Sequence, residues 1–199
     1  KDSMLKYGND KPDLRFDLEI QDVTEVFTNS GFSIFANSIE KGSVVRAIPG
    51  PECGSRSVAD RMNGWAQSEG APGMGYIIYS ESTAKGPVAN ALGIEKALSM
   101  RDLFNLKDGD ALFFSCAKEN DAASLAGKAR VKIATDKKHI KENIFKFCWI
   151  VDYPMFEKDE NTGNIEFSHN PFSMPQGGMD ALLNKDPLDI LAYQYDLVC

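Results

Sequence analysis

The chain has 199 residues, with 22 Lys and Arg against 29 Asp and Glu, so its formal net charge is −7. Hydrophobic residues make up 43% and charged residues 26%, a globular composition that excludes collagen-like, disordered and disulfide-scaffold classes. No apolar run approaches the roughly 18 residues of a membrane-spanning helix, so we expect no membrane partner. The excess of acidic residues argues against nonspecific coating of nucleic acid.

Residues 1–31 begin with a turn-rich stretch and continue into apolar positions at mixed spacing. The turn-rich stretch is YGNDKPD, at residues 7–13. Asp22 is a suitable N-cap for a short helix, and the NSG sequence at 29–31 is a stop signal.

From residue 32 to about 135, short strands and helices follow one another without a regular βαβ rhythm, which indicates an α+β fold with a small mixed sheet. The strand at 111–114 is apolar throughout and is therefore predicted to be central. Strands are predicted at 32–36, 44–48, 76–79 and 111–114. Helices are predicted to begin after Ser55 or Ser57, at Pro87, at Ile94 and near Ala122.

The last third of the chain reads as strands and a hairpin. Residues 145–151 are apolar on both faces and predict a central strand. A polar loop at 157–164, followed by a strand at 165–168, predicts a hairpin. A loop is predicted at 176–178, and a helix over 186–191 with Asp186 and Pro187 at its start.

Charge divides the chain into the same three blocks. Residues 1–31 carry 4 basic and 7 acidic residues, residues 32–135 carry 12 and 11, and residues 136–199 carry 6 and 11. A nearly neutral module therefore lies between two acidic flanks. The four cysteines are far apart and form no CxxC pair, so we predict no metal site.

His169 is the first candidate site residue, because it ends a predicted strand just before Asn170 and the rigid Pro171. A histidine held there can bind a carboxylate or act as a titratable switch. The alternative is a turn histidine that caps backbone carbonyls, and residue chemistry alone favours that alternative.

A charged loop is the second candidate, with Lys11 and Arg15 among Asp10 and Asp13. Such a cluster can position an anionic ligand, with Arg15 suited to bidentate pairing. A solvated turn with internal salt bridges fits the same residues equally well.

A basic run follows near the end of the middle block. It can track a phosphate backbone, but no aromatic residues interleave with it, so a solvated helix face is the favoured interpretation. The run consists of Lys128, Arg130, Lys132, Lys137, Lys138, His139 and Lys141.

Four stretches together resemble the bacterial-type aspartyl-tRNA synthetase family. YGNDKPDLRF at 7–16 is similar to its YGSDKPDLR segment, and FCWIVDYPMFE at 147–157 to its FxWVxDFPxFE strand. SHNPFS at 168–173 resembles its HHPF segment, with Asn170 where a second His often stands. AYQYDLV at 192–198 is similar to its AYDLV strand.

The middle block resembles the GAD insertion domain of that family, through KGPVA at 85–89 and DGDALFF at 108–114. The resemblance implies partial class II catalytic segments at 1–30 and 136–199, with antiparallel strands, around an insertion at 31–135. The chain then looks like the central piece of a longer protein. The family's anticodon-binding barrel, dimer motif and ATP motifs are not found in it.

The resemblance implies two-step aminoacylation, with aspartate, ATP, Mg²⁺ and tRNA as partners and a cytoplasmic, homodimeric parent enzyme. His169 is expected to contact aspartate, with Asp10, Lys11, Arg15 and Asn170 near its pocket. No catalytic residue is assigned, and the piece alone is expected to be inactive. The alternative is a stand-alone RNA- or protein-binding module related to the GAD domain of the tRNA-dependent amidotransferase. Such a module is expected to bury Trp149 and Phe156, whereas a synthetase piece leaves that strand exposed.

Overall fold

Two units make up the chain, residues 2–144 and residues 145–199 together with Lys1. The computed structural model describes residues 1–159, 162–168 and 172–199. No helix within those ranges is long and apolar enough to cross a membrane. The boundary between the two units, at 144/145, differs from the domain boundaries near 30 and 135 that the family resemblance predicts. Those domain boundaries stay a prediction.

The first unit combines helices with one five-stranded sheet. Its helices are α1 (Asp2–Tyr7), α2 (Thr24–Phe27), α3 (Ser33–Glu40), α4 (Arg56–Ser68), α5 (Pro87–Leu92), α6 (Ile94–Leu103) and α7 (Glu119–Asp136). Its strands are β1 (Gln21–Asp22), β2 (Val44–Gly50), β3 (Gly75–Ser80), β4 (Thr83–Lys85) and β5 (Ala111–Ala117).

The sheet has the strand order β1-β2-β5-β3-β4, and every neighbouring pair is antiparallel. The prediction that β5 is central is therefore confirmed, but the expectation of a mixed sheet is wrong. β2 and β3 run in the same direction, and β5 lies between them, so the two strands never form a parallel pair.

Helices cover both faces of this sheet. Successive β5 side chains alternate between faces: Ala111 and Phe113 join one apolar cluster, while Leu112 and Phe114 join the other. The first cluster is closed by α4 and α7, and the second by α2, α3, α5 and α6. The two-sided cover explains why the strand is apolar throughout.

The predicted strand at 32–36 is wrong, because Ser33 begins the helix α3. Phe35 packs edge-on against Phe27, with ring centroids 5.1 Å apart, while Ile34 stays 67% exposed. An apolar alternation of only five residues does not separate a strand from a helix, so tertiary packing decides.

The other helix predictions for the first unit are confirmed. Ser55, rather than Ser57, caps α4: its Oγ accepts a hydrogen bond from the Val58 N–H at 3.3 Å. Pro87 begins α5, and helices occupy the segments predicted from Ile94 and near Ala122. The short helix after Asp22 is also present, although Val23 is its N-cap. Asp22 instead accepts a hydrogen bond from the Thr24 N–H at 2.8 Å.

The second unit holds three antiparallel strand pairs within its described residues, β6 with β11, β7 with β10, and β8 with β9. The β8–β9 pair confirms the predicted hairpin. The strands are β6 (Cys148–Ile150), β7 (Tyr153–Pro154), β8 (Phe156–Lys158), β9 (Ile165–Phe167), β10 (Leu191–Ala192) and β11 (Asp196–Val198).

Three predictions for the second unit need correction. β6 is shorter than the predicted central strand, and among the described residues it pairs on one edge only. The predicted loop at 176–178 leads directly into a helix, α8 (Gly178–Asn184). The predicted helix over 186–191 shrinks to a 3₁₀ turn, Pro187–Asp189, which Asp186 caps through the Leu188 N–H at 2.9 Å.

Candidate functional site

The charged loop at residues 7–16, called the motif loop below, connects α1 to the segment that leads into β1. Two polar side chains shape it. Asn9 Oδ1 accepts a hydrogen bond from the Lys11 N–H at 2.9 Å, and Asp13 Oδ1 accepts one from the Arg15 N–H at 3.0 Å. Bonds from a side chain to the backbone two residues on define tight turns, so these residues impose the loop's course.

Arg15 and Asp13 form a bidentate ion pair within the motif loop. Arg15 Nε lies 2.9 Å from Asp13 Oδ1, and a terminal guanidinium nitrogen lies 2.7 Å from Oδ2. These hydrogen bonds hold the pKa of the Asp13 carboxyl below its ordinary value, against a smaller opposing effect of burial. Internal pairing, one of the two interpretations of this loop, is therefore present for Arg15.

Asp10 and Lys11 present charges of opposite sign at the surface of the motif loop. Both residues are exposed, and the described part of the chain offers neither side chain an ion-pair partner. Pro12 between Lys11 and Asp13 is buried, which anchors the middle of the loop. One anionic and one cationic group on an anchored loop match a zwitterionic ligand.

Arg130 is the residue that sequence reasoning misplaced, because the favoured interpretation put the whole basic run on a solvated helix face. Arg130 is only 1% exposed. Its guanidinium donates hydrogen bonds to the carbonyl oxygens of Asp13 at 2.9 Å, Phe16 at 3.2 Å, and Leu18. Its charge lies over two aromatic rings, 4.1 Å from the Phe16 centroid and 4.8 Å from that of Tyr7.

Other members of the basic run do lie on a polar face of α7 or just beyond it. Lys128 pairs with Glu69 at 2.8 Å, and Lys132 pairs with Asp136 at 3.0 Å. Lys132 and Asp136 are four positions apart on α7, whereas Lys128 and Glu69 are 59 positions apart. All four side chains remain partly exposed, so the favoured interpretation holds for these lysines and fails for Arg130.

A glycine pair lets the motif loop approach α7 closely. Gly8 has a φ of +66°, and a Cβ there would overlap the Ala123 carbonyl oxygen. A Cβ at Gly127 would lie 2.8 Å from the carbonyl oxygens of Tyr7 and Gly8. Since real Cβ atoms do not approach so closely, side chains at these positions would force the loop off the helix.

The second unit builds the hairpin that leads to His169. Ser168 N–H donates to the Met155 carbonyl oxygen at 3.0 Å, and the Phe156 and Phe167 rings pack 5.0 Å apart across the pair. His169 and Asn170 follow directly and lie outside the described residues. Their placement near the motif loop stays a prediction.

Comparison with known proteins identifies the family. A model described as class II tRNA synthetases (D, K and N) matches residues 1–199. An aspartate–tRNA(Asp/Asn) ligase of Paramagnetospirillum magneticum is 56% identical over 200 aligned positions, covering all of this chain and 23% of that protein. Ligases of the same name from Acidiphilium cryptum and Zymomonas mobilis are each 54% identical, and the chain covers 34% of either. The chain thus spans a quarter to a third of these relatives, and it belongs to the class II tRNA synthetase family.

Proposed function

We propose that this chain is the central part of an aspartate–tRNA ligase, which forms aspartyl-adenylate from aspartate and ATP and then transfers the aspartyl group to tRNA. The single observation that carries the proposal is the likeness along the whole chain to ligases of that name, at 50–56% identity. Those relatives are named for both tRNA-Asp and tRNA-Asn, and we extend the proposal to both acceptors. We further propose a cytoplasmic homodimer as the working form of the complete protein.

Aminoacylation of this class depends mainly on positioning and on stabilising charge. In the proposal, His169 contacts the bound aspartate, and the motif loop with Asp10, Lys11 and Arg15 borders the same pocket. Aspartate carries two carboxylates and one ammonium group, which the cationic and anionic side chains of the loop complement. Asn170, in place of a second histidine, supplies an amide for hydrogen bonding.

We assign the binding of ATP and Mg²⁺ to parts of the complete protein outside these 199 residues. The family's ATP motifs do not occur in this sequence. Within the described ranges, no group of three His, Cys, Asp or Glu side chains is arranged to hold a metal ion. The residues that the structure describes therefore do not fit a magnesium site.

The exposure of β6 and the residues beside it favours a strand that belongs to a larger sheet over the alternative of a stand-alone module. Trp149 is 63% and Phe145 78% exposed, and Phe156 is only half-buried. An independent module is expected to bury such aromatic side chains, because each stabilises a fold mainly by leaving water.

We propose that residues 31–135 form a GAD-type insertion between catalytic segments.

The test is the substitution His169→Ala in the complete protein. We expect the aspartate KM in ATP–pyrophosphate exchange to rise by roughly 10-fold or more, the scale of a lost charge-assisted hydrogen bond. The ATP KM should change far less, because the imidazole is proposed to contact only the amino acid. His139→Ala is the matched control on the chain's other histidine. Unchanged aspartate kinetics in His169→Ala would remove this residue from the pocket.

A further inference from the structure

A single side chain of α7 bonds to the backbone of the motif loop and of the chain that follows it. Arg130 donates to the carbonyl oxygens of residues 13, 16 and 18, all more than 100 positions away in sequence. An arginine suits this role because its planar fork directs several N–H donors at once, whereas a lysine ammonium is a point charge. The three carbonyls are thereby fixed relative to one another and to the helix.

Aromatic rings at both ends of the motif loop contact the same guanidinium and restrict its movement. Tyr7 begins the loop and Phe16 ends it, and the Arg130 charge lies within 5 Å of both ring centroids. Burial lowers the pKa of Arg130, while the neighbouring charges of Tyr7, Asp13 and Glu19 act in the opposite direction. The side chain is therefore enclosed by the loop and has no access to a ligand.

Gly127 provides a second, independent contact one turn earlier on α7. Its lack of a side chain lets the carbonyl oxygens of Tyr7 and Gly8 rest against the helix. Contact at the loop's first residues and hydrogen bonds at its last residues leave the exposed Asp10 and Lys11 between two anchored ends.

We propose that Arg130 and Gly127 of α7 form a positioning clamp, which sets the motif loop so that Asp10 and Lys11 meet the bound aspartate. The proposal rests on the proposed function, in which this loop borders the aspartate pocket. Arg130 touches no substrate and acts only through the loop. A helix that resembles the insertion domain thus contributes to amino-acid recognition.

The experiment measures ATP–pyrophosphate exchange by the complete protein carrying Arg130→Met. We expect the aspartate KM to rise roughly 10- to 100-fold, since small displacements of positioning groups cost that much. The ATP KM should stay within about 2-fold of its starting value. Arg130→Lys keeps the charge but loses the planar fork of donors. Its aspartate KM should lie between that of the unsubstituted protein and that of Arg130→Met.

Two further variants separate positioning from general destabilisation. Gly127→Ala should reproduce the aspartate-specific rise, because its methyl group displaces the same loop from the other contact. Ile133→Val is the matched control: it removes a buried methylene three residues along α7 and should lower the melting temperature without changing the aspartate KM.

Each outcome decides the proposal. If Arg130→Met does not fold, Arg130→Lys and Gly127→Ala carry the test. Equal rises in the two KM values, or a lower melting temperature with unchanged kinetics, would show that the clamp has only a structural role. Absence of aspartate-dependent exchange by the unsubstituted protein would instead reject the proposed function itself.

Discussion

The Asp13 carboxylate is a fold-stabilising charge within the motif loop. Its hydrogen bonds to Arg15 lower its pKa below the ordinary value. Burial raises the pKa of Asp22, but hydrogen bonds from Thr24 and Arg46 together outweigh burial, so that pKa is lowered as well. Each carboxylate therefore binds a proton less readily in the folded chain than in the unfolded one.

This difference predicts how acid destabilises the fold. The stabilisation from Asp13 is fully present above the unfolded carboxyl pKa of about 3.9, and it is lost as pH falls through the lower folded pKa. In urea unfolding between pH 5 and about 2, the free energy of unfolding should decrease with falling pH, and Asp13→Asn should make that decrease shallower.

Asp10→Asn is the control for this measurement. Asp10 is exposed, and its side chain has no hydrogen-bond partner among the described residues. The free energy of unfolding should therefore decrease with falling pH as steeply in Asp10→Asn as in the unsubstituted chain. A slope that Asp13→Asn leaves unchanged would contradict the assignment of acid sensitivity to the Asp13–Arg15 pair.

The charged residues of the motif loop were recognisable from sequence, but their partners only in part. Asp13 and Arg15 are two positions apart, so a salt bridge between them follows from local spacing. Arg130 bonds to Leu18 across 112 positions. It is four positions after Ala126 and three before Ile133, so helical spacing places it on the buried face of α7. The carbonyl oxygens to which it donates are revealed only by the fold.

At the scale of elements, the N-terminus of α4 depends on one hydroxyl. Ser55→Ala removes the acceptor for the Val58 N–H and should lower the free energy of unfolding by about 1 kcal/mol, the usual cost of losing an N-cap. Urea unfolding measures the difference.

Ser57→Ala is the matched control for the cap. The same hydroxyl is lost two residues later, where it lies 3.2 Å from the Ser55 hydroxyl but does not accept from the Val58 N–H, so the loss should be smaller than in Ser55→Ala. Equal losses in both variants would contradict the assignment of Ser55 as the cap.

The elements that were predictable include α4 and β5, in which an apolar pattern is accompanied by a capping residue or a turn, and α7, whose apolar spacing is long. The helices α3 and α8 were not predictable. In α3 the deciding contact is that of Phe35 with Phe27 and Phe114, two rings from other elements. In α8, the helix starts at a glycine pair that is typical of a loop.

At the scale of the whole molecule, the two units differ in how completely they bury apolar residues. The first encloses a sheet between helices, whereas the second exposes Phe145, Phe147 and Trp149. The rings of Phe145 and Phe147 stack with their centroids 6.5 Å apart, and exposed apolar surface of this kind is typical of sites that contact further protein. It accords with a chain that spans at most 34% of the relatives described above.

The 199-residue chain should accordingly show no aspartate-dependent ATP–pyrophosphate exchange, since the family's ATP motifs do not occur in it. The complete protein, assayed under the same conditions, is the positive control. Detectable formation of aspartyl-adenylate by the chain alone would overturn the proposal that it is a part of the ligase.

Because Arg130 bonds to carbonyl oxygens within residues 13–18, the motif loop is synthesised long before the side chain that holds it. The ribosome makes the motif loop before α7, and the guanidinium that binds it follows Leu18 by 112 residues. At typical elongation rates, that interval lasts roughly 6 to 20 s. Until α7 is synthesised, the motif loop lacks the guanidinium that bonds to it. The segment that is proposed to recognise the amino acid is thus translated well before the side chain that holds it in place.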